Sequence, residues 1–213
     1  MKQVNGLWFP DADKFMASQT APDGTYQIKH LEAALNHCAA FGLAVDGGAH
    51  VGTWSLKLAE RFTRVMAFEP AADTYECLAL NVQDYANVET VNAALGDWRG
   101  RASLTLEGDK VNTDRENTGA RRIAAGDSFP VMLLDDLHLD TLDFLKLDVE
   151  GYEPSALRGA RETLSRCKPV VLFEDKGHHI RFGGKPGDCQ RILSDLGAKF
   201  RQAVGRDQIW AWD

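Results

Sequence analysis

Five short apolar runs end at polar or acidic residues and are separated by segments of helical periodicity, and that rhythm restricts the chain to few folds. The runs are Leu43-Ala44-Val45, Val65 to Phe68, Val88 to Leu95, Leu142 to Val149 and Pro169 to Phe173. Around them, Ile28 to Cys38 has apolar residues at helical spacing, and Thr53 to Phe62, Ala72 to Tyr85, Pro154 to Leu164 and Asp188 to Leu196 read as helices. Phe200 to Trp212, with Trp210 and Trp212 in alternation, reads as closing paired strands. Short buried strands alternating with helices predict an α/β fold: a mostly parallel, twisted sheet with helices on both faces and an antiparallel C-terminal strand. In such sheets ligands bind beyond the carboxyl ends of the strands. There the sequence places Asp46, Glu69, Asn92, Asp148 with Glu150, and Glu174.

Composition narrows the class of ligand. With 213 residues the chain is expected to form one domain, and its formal charge of −7 argues against nucleic acid or an anionic membrane as a general partner. No apolar stretch approaches the roughly 20 residues that cross a bilayer. Met1 to Pro10 is too interrupted for a signal-peptide core, so a cytoplasmic protein acting on a small molecule is expected. Cys38, Cys77, Cys167 and Cys189 are far apart and read as thiols, and His178-His179 near Cys189 is a faint match to zinc-ligand spacing. Gly96 to Pro130 breaks the alternation. Arg101 to Leu106 reads as an exposed strand and Glu107 to Asp127 as a long loop, whose Arg115, Arg121 and Arg122 form a solvated face or meet an anionic substrate. Trp54 and Trp98 are expected to pack, and Trp8 to anchor the amino terminus.

Chemistry concentrates at Val45-Asp46-Gly47-Gly48-Ala49-His50-Val51-Gly52, where a strand passes straight into a helix. Glycines there permit a sharp turn and close approach of a ligand, which makes Asp46, Gly47, Gly48, Ala49, His50 and Gly52 candidate cofactor residues. An acid at Asp46 opposes a pyrophosphate but suits an ammonium or sulfonium, favouring S-adenosylmethionine over NAD; a tight turn with no ligand is the plain alternative. Glu69, at the end of the next strand, is placed to accept from ribose hydroxyls or to cap the helix beside Pro70, and Asn92 to face the adenine or a turn. Asp148 and Glu150, two apart, share a face if the strand continues. Two such carboxylates repel, which raises the pKa of one and makes it a better general base, or they bind a divalent cation; Glu150 capping the helix near Pro154 is the structural alternative. Asp148, Glu150, His178 and His179 are therefore the candidate catalytic residues, with Asp148 also in the cofactor set. Lys146, inside a strand, is expected to find a buried acid.

These blocks resemble the FkbM family of S-adenosylmethionine-dependent methyltransferases. The resemblance runs through residues 45–52, Ala67-Phe68-Glu69-Pro70, Asn92 to Asp97, Asn117-Thr118-Gly119-Ala120 and Leu134-Asp135-Asp136-Leu137. It is most specific in Leu145-Lys146-Leu147-Asp148-Val149-Glu150-Gly151-Tyr152-Glu153 with Leu157-Arg158-Gly159-Ala160, and continues to Pro169 and Glu174. This chain has His50 where the family commonly has asparagine. The resemblance implies a Rossmann-like class I methyltransferase fold with its core over about 43–175, a lead-in over 1–42 and a substrate-side segment over 176–213. It also implies cofactor binding by Asp46, Gly48 and Glu69, and O-methylation of a hydroxyl on a sugar or other small product. An NAD(P)-dependent oxidoreductase and a non-catalytic cofactor-binding module are the competing readings.

Overall fold

The computed structural model describes residues 1–105, 118 and 121–213. Its centre is a seven-stranded sheet made of β3 (Leu43–Gly47), β4 (Arg64–Phe68), β5 (Val88–Val91), β10 (Phe144–Leu147), β11 (Val170–Glu174), β12 (Lys199–Val204) and β13 (Asp207–Ala211). The strands lie in the order β12-β13-β11-β10-β3-β4-β5. Five run parallel, while β13 is antiparallel to both β11 and β12. From β3 the chain winds outward through β4 and β5, then returns to β10 on the other side. The winding direction thus reverses between β3 and β10, where a crevice opens at the strands' carboxyl ends.

Each face of this sheet is covered because its strands are apolar on both faces. Val45, Leu145, Leu147, Val171 and Phe173 pack with α5 (Glu153–Arg158), α6 (Arg161–Cys167) and α7 (Asp188–Asp195). Ala44, Phe144 and Leu172 pack on the opposite face with α2 (Ile28–Leu35) and α3 (Thr53–Ala59), through Leu31, Trp54 and Leu58. The two-residue alternation therefore puts Asp46 and Lys146 on the α2/α3 face, where they are register partners.

Several sequence expectations shift in detail. The run Val88 to Leu95 is two strands: β5 ends at Val91, and β6 (Ala94–Leu95) turns away to pair with β9 (Phe129–Met132). Asn92 makes the corner, its side-chain amide donating to the carbonyls of Glu69 (2.9 Å) and Pro70 (3.1 Å). The interruption is partly a second, four-stranded sheet, β6-β9-β7-β8, with β7 at Gly100–Thr105 and β8 at Arg122–Ala125. The expected long loop over 107–127 thus contains a strand; its residues 107–117, Arg115 among them, and 119–120 lie outside the described residues. The helix expected over 154–164 is broken at Gly159, where a Cβ would come 1.8 Å from the Gly96 carbonyl oxygen. Asp135 then caps α6, accepting from the amides of Glu162 and Thr163 at 3.1 and 2.8 Å.

The amino terminus forms a hairpin of β1 (Lys2–Val4) and β2 (Leu7–Phe9) across an Asn5-Gly6 turn with both φ angles positive, as a two-residue hairpin of this type requires. Asn81 of α4 (Ala72–Asn81) clamps Trp8, accepting from its amide at 2.7 Å and donating to its carbonyl at 3.0 Å. Trp54 is buried as expected, but Trp98 is 39% exposed, its indole N–H donating to the Tyr152 hydroxyl at 2.7 Å. All four cysteines are free thiols, and burial pushes those of Cys38 and Cys77 up to about 12 and 11. Among the described residues, no helix is long and apolar enough to cross a membrane.

Candidate active site

The turn after β3 is shaped by what stands behind it. At Gly48, φ is +77° and a Cβ would come 1.9 Å from the Asp148 carbonyl oxygen, so only glycine fits. The amides of Gly48 and Ala49 both donate to the Phe68 carbonyl, at 3.0 and 2.9 Å, which fastens the turn to β4. The Gly48 carbonyl accepts from Lys146 Nζ at 2.8 Å. Gly47 is packed beside Leu147, Ala49 is buried in the core, and Gly52, at φ +89°, precedes the first turn of α3.

Asp46 does not face the crevice. It is fully buried on the α3 side of the sheet, with Oδ1 2.8 Å from Lys146 Nζ and Oδ2 accepting from Ser55 at 2.7 Å. The expectation that it meets a cationic ligand is corrected to a structural ion pair, because the strand runs two residues beyond the expected Leu43-Ala44-Val45, to Gly47. Lys146 finds its buried acid, as expected, and its ammonium also lies over the Trp54 ring.

Glu69 reaches the crevice from the end of β4. Its Oε1 accepts from the Ala71 amide (2.9 Å) and the Thr74 hydroxyl (2.8 Å), and Oε2 from the His50 amide (2.9 Å). Three donors leave a carboxylate, with about four lone-pair sites, able to take one more. Burial is the main influence on its pKa and raises it. Asn92 is spent on the β4 loop and does not line the crevice.

Asp148 and Glu150 converge with Glu174, one oxygen of each lying within 4.8 Å of the others. The strand does not continue through them: β10 stops at Leu147, and Glu150, at φ +51°, lies in a tight turn. Turn geometry rather than the pleat brings the two carboxyls together. Lys176 Nζ contacts Glu174 at 2.6 Å and Glu150 at 3.1 Å, and His178 Nδ1 lies 3.0 Å from Glu150. His179 is elsewhere: it is buried, and its Nε2 donates to the Lys185 carbonyl at 3.1 Å. Glu150 does not cap α5. Glu153, the first residue of α5, accepts from the amides of the preceding turn, Val149 (3.0 Å) and Gly151 (3.1 Å), and burial pushes its pKa up to about 7.

Together these residues edge a cleft of about 940 Å³, counting the part open to solvent. Gly48, His50, Glu69, Asp148, Glu150 and Glu174 line it, with Phe68, Ala93 and Leu95 as apolar walls. Phe15 and Met16 of α1 (Phe15–Gln19) and Tyr26 contribute from the amino-terminal segment. Arg121 lines it too, held on Asp73 through Nη2 at 2.7 Å, so it is an ion-paired side chain rather than a solvated one.

Residues 46–200, most of the chain, match the family model described as the methyltransferase FkbM domain. The chain belongs to the FkbM methyltransferase family. Among solved structures, the fold is similar to a methyltransferase FkbM from Methylobacillus flagellatus KT, at TM-score 0.55 and 21% identity over 81% of this chain. This chain covers only 44% of that longer protein. It is also similar to a precorrin-6y C5,15-methyltransferase from Geobacter metallireducens GS-15 (TM-score 0.51, 15% identity, 91% and 94% of the two chains). A third is a magnesium protoporphyrin IX methyltransferase from Synechocystis PCC 6803 with bound SAM (TM-score 0.51, 15% identity, 94% and 85%). No curated protein sequence matches the chain. These likenesses agree with the expected Rossmann-like class I fold.

In this FkbM domain the sequence reading missed Lys176 and Tyr26. Neither carries a local signal, since Lys176 meets Glu150 only because β10 and β11 are neighbours. The site also carries a pH signature. Burial and the nearby Asp148 push Glu174 up to about 8, and the two carboxyls share a hydrogen bond. A carboxyl that keeps its proton to about pH 8 when folded, but loses it near 4.5 when unfolded, favours the fold most at pH below 4.5. That contribution declines above pH 4.5 and is gone above pH 8. Glu174→Gln should therefore flatten the fall in melting temperature between pH 5 and 8.5. Parallel curves for the two proteins in calorimetry would refute the proton on Glu174.

Proposed function

We propose that this FkbM-family chain transfers a methyl group from S-adenosylmethionine to a hydroxyl of a sugar or another small metabolite. The observation that carries the reading is the acidic cluster at the ends of β10 and β11, standing in one cleft with Glu69. With Glu174 protonated, the charges of Asp148, Glu150 and Lys176 sum to −1 at neutral pH. A net negative wall suits a sulfonium, and charge complementarity is strongest in a partly desolvated cleft. The residues present fit the cofactor: Glu69 retains a lone pair for a ribose hydroxyl, and Phe68, Ala93 and Leu95 offer apolar surface to a purine.

When bound, S-adenosylmethionine supplies a methyl carbon already activated by its sulfonium. The chain's part is alignment and proton transfer. Alignment alone is worth on the order of 7–11 kcal/mol. With the cofactor bound to supply that methyl group, Asp148 would accept the proton that the acceptor hydroxyl gives up. Lys176 holds Glu150 and Glu174 in place, and competes for the same oxygens with any divalent cation.

A nicotinamide dinucleotide fits less well. Its pyrophosphate needs free amides where it meets the chain, whereas in the glycine turn ahead of α3 the Gly48, Ala49, His50 and Gly52 amides are all bonded within the protein. Thermal shift separates the readings. S-adenosylmethionine or S-adenosylhomocysteine at 100 times Kd should raise the melting temperature by about 5–10 °C, with no rise for NAD(P). A rise with NAD(P) and none with either sulfur ligand would sink the proposal.

A further inference from the structure

Among the described residues, one polar atom at the cleft has no partner: Nδ1 of His50, buried on the turn after β3. The other ring nitrogen is engaged. Nε2 lies 2.7 Å from Thr118 Oγ1 and 3.5 Å from Asp13 Oδ2, and the Thr118 hydroxyl itself donates to Asp13 Oδ2. Asp13 is fully buried, and its Oδ1 accepts from the Ala17 amide at 3.2 Å, which ties α1 to the same chain of hydrogen bonds. A hydroxyl has one proton to give. Because Thr118 gives it to Asp13, its oxygen accepts from His50, so Nε2 carries the ring proton. Burial holds the imidazolium down to about 4, so the ring is neutral at physiological pH. A neutral imidazole protonated at Nε2 presents Nδ1 as a lone-pair acceptor.

We propose that the Asp13–Thr118–His50 chain locks His50 as the Nε2–H tautomer, so that Nδ1 accepts a hydrogen bond from the bound adenosyl cofactor. The donor is a ribose hydroxyl or the ammonium of the amino-acid end. This inference rests on the methyltransferase reading and adds to it a residue that selects for a donor at that point. A carboxylate behind the hydroxyl polarises the ring and strengthens the acceptor. The ring is also fixed from its own backbone, whose amide is held by Glu69.

Nitrogen-15 NMR of the protein with labelled histidine tests this, the His50 signals being assigned by their loss in His50→Ala. In the ligand-free protein Nδ1 should resonate as an unprotonated nitrogen and Nε2 as a protonated one, and Thr118→Val should let the Nδ1–H tautomer appear. Saturating S-adenosylhomocysteine should move Nδ1 in the direction of an accepted hydrogen bond. His50→Ala and Thr118→Val should each weaken its binding about five- to tenfold in calorimetry. The analogue 5′-methylthioadenosine keeps the ribose and lacks the ammonium. A response of Nδ1 to both ligands assigns the donor to the ribose, and a response to S-adenosylhomocysteine alone assigns it to the ammonium. A protonated Nδ1 in the free protein, or an Nδ1 signal unmoved by either bound ligand, overturns the proposal. Failure of the wild type to bind S-adenosylhomocysteine overturns the methyltransferase reading as well, and the ligand-binding arm alone distinguishes that outcome.

Discussion

Lys146→Met should cost the protein about 3–5 kcal/mol of stability, the range found when one partner of a buried ion pair is removed. That is a large share of the roughly 5–15 kcal/mol that holds a typical domain folded. Met keeps most of the apolar stem, so the loss is electrostatic. Asp46 is fully buried, and without Lys146 its carboxylate keeps, among the described residues, only the Ser55 hydroxyl as a hydrogen-bond donor. The Gly48 carbonyl loses its ammonium donor at the same time. For a chain of this size the melting temperature should fall by about 6–20 °C. Adding Asp46→Asn should recover more than half of the loss, because the uncompensated charge is then gone. Urea denaturation of the two single variants and the double variant measures this. A cost below about 1 kcal/mol for Lys146→Met would show that the pair does not fasten β3 to β10.

The same ion pair shows what could be read from the sequence and what could not. Apolar runs ending in acids revealed the parallel sheet and the edge on which a site must lie, because burial on both faces demands continuous apolar strands. They did not reveal on which face each acid sits. That depends on the residue at which a strand ends, and in β3, two residues longer than its apolar run, Asp46 lies in the core and away from the cleft. A lysine inside an apolar strand was the available clue, since it requires a buried acid, but only the register of β3 with β10 names Asp46 as its partner. At Asp148 and Glu150 the pairing was legible for the wrong reason: the pleat ends at Leu147, and a left-handed Glu150 brings the carboxyls together. His179 was grouped with His178 by adjacency, yet neighbours in a 3-10 turn (His178–Phe182) point in different directions. Lys176 and the Asp13–Thr118–His50 chain join segments far apart in sequence, and no local pattern carries them.

Asp148→Asn should lower methyl transfer about 10²- to 10⁴-fold, as expected when a positioned general base is removed, while the Kd of S-adenosylhomocysteine changes less than about threefold. The division follows from the geometry. Asn keeps the size of the side chain and still accepts from the proton on Glu174, so the turn that packs against Gly48 has no reason to move; that packing uses the Asp148 main chain. What is lost is the site that receives the acceptor's proton. Glu150 is a poor substitute, because it is already bound by Lys176 and His178. Glu174 is a poor substitute as well while it is protonated; burial still raises its pKa in the variant, but without the Asp148 charge it ionises at a lower pH than in the wild type. Raising the pH should therefore rescue part of the activity of Asp148→Asn, as Glu174 ionises and becomes able to take a proton. Single-turnover rates from pH 6.5 to 9 would show that rise, whereas a flat profile with unchanged cofactor affinity would assign the proton to a group outside the cluster. Loss of cofactor affinity together with activity would make Asp148 a binding residue rather than the base.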